Sequence, residues 1–195
     1  MKLPKGWHEI KLSQFIDIYD VIQDSSIDDI DKSIRIFSLL SGLSIDDVES
    51  MTLSAWSEQQ EKIKWVMNLP EAGIPKSFKL GGYLWKPVLD IRQITAGDYI
   101  TSVELTKNPE NIIINIPQLA ALYLTPHKGL FKRKADLSYE QRVNILKEAS
   151  VAQIYPLTLF FCKVLIGLME SIPDYLIDRM NQMTSQADTL NGDGI

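Results

Sequence analysis

The chain has very few of the residues that most often build catalytic and metal sites. Among its 195 residues there is one cysteine, Cys162, and there are two histidines, His8 and His127. A single thiol cannot form an intramolecular disulfide, so the sequence gives no reason to expect an oxidising compartment. There is no Cys-x-x-Cys or His-x-x-x-His pair of the kind that binds transition metals. We therefore expect neither a metal nor a cofactor.

Cys162 has two interpretations. It follows Leu159, Phe160 and Phe161, and free cysteine is among the most buried residue types, so a buried and inert thiol is the expectation. A nucleophilic role requires a histidine partner, and neither histidine lies in a recognisable motif.

Phosphate-binding loops and long apolar segments are also lacking. Gly81-Gly82 is not flanked by the glycine and lysine of a P-loop. The most apolar stretch, 154–169, contains Pro156 and Lys163 and is shorter than the ~20 residues of a spanning helix. The first residues carry no apolar signal-peptide core. We expect a cytoplasmic protein that has no membrane segment.

What the chain does contain is ordinary for a globular protein. Hydrophobic residues make up 45% and charged residues 23%, with 20 basic and 25 acidic side chains giving a net charge of −5. An acidic chain is a poor general binder of nucleic acid. Composition alone does not define a function.

Apolar residues recur at spacings of three and four along most of the chain, which is typical of amphipathic helices. Capping patterns at Ser44, Thr95 and Ser138 mark helix starts, and Gly42 marks a helix end. The first predicted helices are 13–23, one that contains Ile27 to Leu40 and ends at Gly42, 45–50 and 54–68. The later ones are 96–106, one that contains Leu119 to Leu124 and ends before Pro126, 139–152, 157–170 and a last one from Pro173.

One segment has a different pattern. Residues 77–87 alternate around Gly81-Gly82, which predicts a β-hairpin with a two-residue turn. This turn would pair Leu80 with Tyr83 and Phe78 with Trp85 on one face of the hairpin. Pro87 limits the second strand.

The two halves of the chain resemble each other weakly. Residues 10–16 align with 94–100, and 37–41 align with 121–125 at the same offset of 84. The alternative is chance similarity between amphipathic helices with the same caps. The predicted fold is mainly α, a helical bundle of two weakly repeated three-helix halves, 3–70 and 87–180, with one small β-hairpin between them. We expect a single domain over 1–185 and a flexible tail over 186–195.

Charge is unevenly distributed. Residues 17–49 contain nine acidic and two basic side chains, and many of the acids lie at predicted helix starts, where the helix dipole favours them. The basic cluster, 127–134, contains Phe131 and is predicted to lie in a loop, 127–135. It is either a solvated loop, a contact for an acidic protein surface such as the acidic half of another copy, or a nucleic-acid contact.

Trp56 and Trp65 are nine residues apart on one predicted helix, which places them on opposite sides of it. At least one of them then faces the hairpin, the other half or a partner, unless the helix is enclosed on two sides. The candidate partner-binding residues are Trp56, Trp65, Phe78, Tyr83, Trp85, Lys128, Phe131, Lys132, Arg133 and Lys134.

Several stretches resemble a family of small tailed-phage proteins that are linked to tail and baseplate-hub assembly. They are "LPKGWHEIKLSQFIDIYDV", "IFSLLSGLSIDDVESM", "FKLGGYLWKPVLDIRQITAGDYITSVEL", "NIPQLAALYLTP" and "LTLFFCKVL". The family's strand pair, entry segment and following helix correspond here to Phe78–Trp85, Ile94–Ile100 and Leu119–Pro126. The likeness spans about residues 3–165, and Gly97-Asp98-Tyr99 departs from the usual Gly-Gln-Tyr or Gly-Gln-Phe.

The resemblance implies a non-enzymatic, mainly helical protein that binds other phage structural proteins, either transiently in the host cytoplasm or as a component of the mature virion. Association of the chain with further copies of itself, as a homo-oligomer, is one form that this binding takes. The alternative is a nucleic-acid-contacting protein that uses the basic loop 127–134, which the acidic composition disfavours. Nothing in the sequence supports an enzyme.

Overall fold

The structure, a computed structural model, describes residues 3–70, 73–128, 133–165 and 167. The chain divides after residue 159 into two compact units, and the first contains the sheet and every α-helix given below except the last residues of the helix over 151–165. The fold is mainly α, as predicted. The α-helices are α1 (Leu12–Gln23), α2 (Asp29–Ser41), α3 (Ile45–Glu49), α4 (Leu53–Ile63), α5 (Ala96–Thr106), α6 (Ile116–Tyr123) and α7 (Tyr139–Leu146). The strands are β1 (Phe78–Leu80), β2 (Tyr83–Pro87), β3 (Leu124–Lys128) and β4 (Arg133–Lys134). Short 3₁₀ helices cover Lys64–Met67, Ile91–Gln93 and Pro109–Asn111, and residues 151–165 are also helical.

The predicted caps begin and end the helices as expected. Ser44 accepts a hydrogen bond from the Asp47 amide at the start of α3, and Thr95 accepts one from the Asp98 amide at the start of α5. Gly42 ends α2 with φ +72°, a conformation that glycine adopts without steric cost. Local chemistry therefore sets these boundaries.

The predicted hairpin is confirmed with its register. Phe78 pairs with Trp85 and Leu80 with Tyr83, across a turn in which Gly81 has φ +58° and Gly82 has φ +79°. Positive φ at both central residues is the requirement of the type I′ turn, whose twist matches that of the strands.

The prediction of a loop over 127–135 is wrong at 127–128 and at 133–134, which are strand residues; 129–132 lie outside the described residues. β3 begins at Leu124, pairs antiparallel with β2 and then with β4, so a four-stranded sheet in the order β1-β2-β3-β4 replaces the isolated hairpin. The sequence here contains a proline and mostly polar or basic residues, and its strand character comes from pairing with β2 rather than from propensity.

Two predicted helix boundaries are also wrong. α7 ends at Leu146 instead of continuing to 152, and the next helix begins at 151 instead of 157. The break has a tertiary cause, because the N-terminal segment binds the backbone there. The Leu12 amide donates to the Ala149 carbonyl at 2.8 Å, and the Val151 amide donates to the Ile10 carbonyl at 2.9 Å. The helix predicted from Pro173, the domain limit at 185 and the tail at 186–195 lie outside the described residues.

The helix predicted over 54–68 is an α-helix only to Ile63 and tightens into the 3₁₀ helix Lys64–Met67. Trp65 therefore does not lie on the face that a continuous α-helix would give it. It packs against Trp7, with ring centroids 5.1 Å apart. Trp7 also packs edge-on against Phe15 and donates from Nε1 to the Asn68 carbonyl at 2.7 Å. These contacts fix the end of α4 to the N-terminal segment.

The first proposed repeat, 3–70, contains α1–α4, and the described part of the second, 87–180, contains α5–α7 and the helix that begins at 151, so neither is the predicted three-helix half. Their aligned segments differ locally, because 37–41 is helical throughout whereas 121–125 passes from α6 into β3. The internal repeat stays a prediction.

Candidate partner-binding surfaces

The aromatic candidates lie in three different environments. Trp56 is half-buried, packs edge-on against Phe37 at 5.3 Å, and lines a surface groove. Trp65 is half-buried against Trp7. Phe78 and Trp85 are only 6% and 0% exposed and form part of the core, so they do not offer a surface to a partner. Sequence alternation placed them correctly on one face but did not show that this face is buried.

Tyr83 lies at the hairpin end of the sheet and is half-buried. Lys128 places its ammonium 5.5 Å from the centroid of the Tyr83 ring, a cation–π distance. Arg133 pairs with Lys128 across β3 and β4, and both are exposed. The candidates Phe131 and Lys132 lie outside the described residues.

The sheet face opposite Phe78 and Trp85 is strongly basic. Continuous pairing places Lys79, Leu84, His127 and Lys134 in one row across all four strands, with Lys86 on the same face two residues along β2. Lys79, Lys86 and Lys134 are exposed, and none of them has an ion pair within the described part of the chain. We call the three exposed lysines of this face, Lys79, Lys86 and Lys134, the cationic face. Lys79 and Lys86 were not among the candidate residues predicted from the sequence, since only strand pairing brings them beside 127–134.

A groove runs between α2 and α4. Its larger part, about 820 Å³, is floored by Ile34, Val48 and Trp56, with Ile30 and Leu53 on its edges. A smaller part of about 180 Å³ continues past Ile36 and Ile63 to Met67. The two parts adjoin at Ser33 and Gln60, which line both, and together we call them the α2–α4 groove.

The groove contains the most exposed large apolar side chains in the described part of the chain. Leu53 is 83% exposed, Met67 80% and Ile30 70%. Scattered single apolar residues are normal on protein surfaces, but three that line one concave apolar surface are typical of an interaction site. The sequence could not reveal that these side chains are exposed, because apolar residues at helical spacing predict a buried helix face whether or not another element covers that face.

The rim of the larger part is acidic. Asp29 and Glu49 line it, both are exposed, and neither side chain has a hydrogen-bond or ion-pair partner among the described residues. Other acids nearby have local roles: Asp28 caps α2, and Asp47 closes the capping box of α3. The groove rim therefore carries two exposed carboxylates, Asp29 and Glu49, that are available for other interactions.

Perturbed ionisable groups are scattered and have local explanations. Hydrogen bonds from Ser26 lower the pKa of Asp24, the bond from Lys62 lowers that of Glu58, and bonds from Arg92 lower that of Asp90. Burial raises the pKa of the Cys162 thiol, which disfavours the thiolate.

The described residues contain no group of three or more His, Cys, Asp or Glu side chains placed to hold a metal ion. Within the same residues, no helix is both long and apolar enough to cross a membrane.

Comparisons of the chain with protein-family models, with curated proteins and with solved structures give no match. The surfaces described above are therefore interpreted from their own geometry and chemistry.

Proposed function

We propose that this chain is a non-enzymatic phage structural or assembly protein that binds other phage proteins during tail or particle morphogenesis. The sequence resemblance over about residues 3–165 supports the phage setting. The α2–α4 groove supports a role in protein binding. Binding takes place in the host cytoplasm during assembly, and the bound protein is then either released or retained in the virion.

The observation that carries the proposal is the exposure of Leu53, Met67 and Ile30 on one concave surface. Covering such side chains removes apolar area from water, which contributes about 25 cal/mol per Å². The residues are not needed to fill the core of the described unit, because most of each side chain remains in contact with solvent. A partner protein is the occupant that gains from this surface.

A photocrosslinking residue placed at position 53 tests the proposal in phage-infected host cells. The matched control places the same residue at position 100, where Ile100 is 58% exposed on α5 and away from the groove. We expect position 53, but not position 100, to crosslink to a phage structural protein. Equal crosslinking at both positions, or no phage protein at either, contradicts the proposal.

Quantitative mass spectrometry of purified particles then separates the two modes of action. A fixed small copy number relative to the major capsid protein identifies a virion component. Absence from particles, with abundance in the infected lysate, identifies a transient assembly factor.

A second candidate function is contact with nucleic acid, and the cationic face is the observation that favours it. Three exposed lysines on one sheet face can contact backbone phosphates, and the described face presents no Phe, Tyr or Trp ring on which bases would stack. Replacing Lys79, Lys86 and Lys134 by Gln should abolish any salt-dependent binding of the chain to DNA or RNA. Unchanged affinity would remove this candidate.

A further inference from the structure

The length and the two helical walls of the α2–α4 groove suit the binding of one more helix. Along α4 and the 3₁₀ turn that follows it, most lining residues recur every three or four positions: Leu53, Trp56, Ser57, Gln60, Ile63, Lys64 and Met67, with Val66 in addition. The fourteen steps from the first to the last of these correspond to about 21 Å of helix. The opposite wall is formed by α2, from Asp29 to Ile36.

The two walls run in the same direction along the groove. Early residues of α2 and α4, such as Ile30 and Leu53, line the larger part, whereas Ile36 and Met67 lie in the smaller part. A third helix laid between two helices is a recurrent mode of recognition, in which side chains spaced three and four apart enter the groove. An extended strand finds no unpaired backbone to bond with between two helices.

The charges along the groove are not symmetrical. Asp29 and Glu49 lie on the rim of the larger part, which has no basic lining residue. At the other end, the charge of Lys64 is already paired with Glu61. The electrostatic field of the groove therefore favours positive charge at the end formed by the N-termini of α2 and α4.

We propose that the groove binds an amphipathic helix of a partner protein whose apolar stripe is flanked by Lys or Arg at one end. This inference rests on the proposed function and specifies the chemistry of the partner. The apolar stripe covers Ile30, Leu53 and Met67, and the flanking cations lie against Asp29 and Glu49. The apolar contacts supply most of the affinity, and the charges set the direction and choice of the helix.

Three fluorescent peptides of about 18 residues test the inference, since this length spans the groove. All three carry the same leucine stripe at spacings of three and four, and the flanking positions at one end are Lys, Gln or Glu. Binding to the full chain is measured by fluorescence anisotropy at about 0.05 M and about 0.5 M salt. We expect the Lys peptide to bind about tenfold more tightly than the Glu peptide at low salt, with the difference shrinking at high salt.

Two sets of variants assign the effect to the groove. Asp29→Asn combined with Glu49→Gln should remove the preference for Lys over Glu, whereas Glu104→Gln with Glu110→Gln changes the net charge equally and should leave it. Leu53→Asn should weaken all three peptides, and Ile100→Asn should not. Circular dichroism melting of each variant checks that it is folded.

The unfavourable outcomes are distinct. Equal binding of the three peptides overturns the charge inference while leaving the groove as a docking site. If no peptide binds, docking of a helix is overturned, and crosslinking from position 53 decides the proposed function separately. If the chain self-associates and Leu53→Asn makes it monomeric, the occupant is a second copy and the inference is overturned.

Discussion

Gly81 faces Ile145 so closely that a Cβ atom at Gly81 would lie 2.9 Å from Ile145 Cγ2. The turn of the β1–β2 hairpin is therefore seated against α7, and the hairpin is held from its tip as well as along its strands. A Cβ atom added to Gly82, the other turn residue, would have no neighbouring atom within 4 Å. Both glycines have positive φ, but only Gly81 has a close neighbour. Comparing substitutions at the two positions therefore distinguishes the cost of backbone strain from the cost of close packing.

Gly82→Ala should therefore cost about 1 kcal/mol of the free energy of unfolding, because L-residues are strained in the left-handed region. Gly81→Ala should cost about 2–3 kcal/mol, since it adds overpacking to the same strain. Urea denaturation measures both. Adding Ile145→Ala to each variant is the control: it should reduce the cost of Gly81→Ala but not that of Gly82→Ala. Equal costs for the two glycines would contradict the packing explanation.

Trp7 and Trp65 are in contact, yet only one of their indole N–H groups is satisfied. Trp7 Nε1 donates to the Asn68 carbonyl, whereas the buried Trp65 Nε1 has no acceptor in the described part of the chain. A buried donor without a partner costs about 1–3 kcal/mol. Trp7→Phe should thus lower the free energy of unfolding by about 2–3 kcal/mol and Trp65→Phe by at most about 1 kcal/mol, because the second substitution also removes the unpaired donor. Guanidinium denaturation of both variants checks the order, and a larger loss for Trp65→Phe would refute it.

Asp24 should make the connection between α1 and α2 sensitive to acid. The Ser26 hydroxyl and amide donate to its carboxylate at 2.5 and 2.8 Å and hold the pKa of Asp24 below its ordinary value. A lowered folded-state pKa contributes stability above the unfolded pKa, and this stability is lost as the pH falls through the folded value. The stability difference between wild type and Asp24→Asn should therefore be constant near neutral pH and shrink below about pH 4. Ser26→Ala should raise the pKa of Asp24 in an NMR titration, and an unchanged titration would contradict the assigned cause.

The Cys162 thiol should react slowly with alkylating reagents. Burial raises its pKa, so at pH 7 a smaller fraction is thiolate than in an exposed cysteine, and access is restricted as well. Iodoacetamide labelling followed by mass spectrometry should be slower than labelling of glutathione and should accelerate when the chain is unfolded in urea. Labelling of the folded chain as fast as of glutathione would restore the nucleophile interpretation.

The parts of the fold that sequence reasoning predicted well depend on local chemistry. Ser44, Thr95 and Ser138 begin helices because their side chains bond to nearby amides, and Gly81-Gly82 sets the hairpin register because few other pairs accept that turn. Each of these interactions acts over about three residues, so the sequence alone contains it.

The parts that failed depend on distant partners. β3 becomes a strand because β2 pairs with it, and α7 ends because residues 10–13 bond to the backbone that follows it. The same reason explains why the surfaces were only partly predicted. Lys79 joins Lys134 through three strand pairings, and the stripe containing Leu53 is exposed because no described element covers it.

The bonds between the N-terminal segment and residues 147–152 have a consequence for how the protein is made. Ile10 and Val151 are joined directly, although about 140 residues separate them in the chain. During translation, a ribosome must therefore release almost the whole first unit before α1 can settle into place, and contacts of such separation form slowly. All residues that line the α2–α4 groove precede residue 68, so they leave the ribosome long before the residues that fix α1 in place.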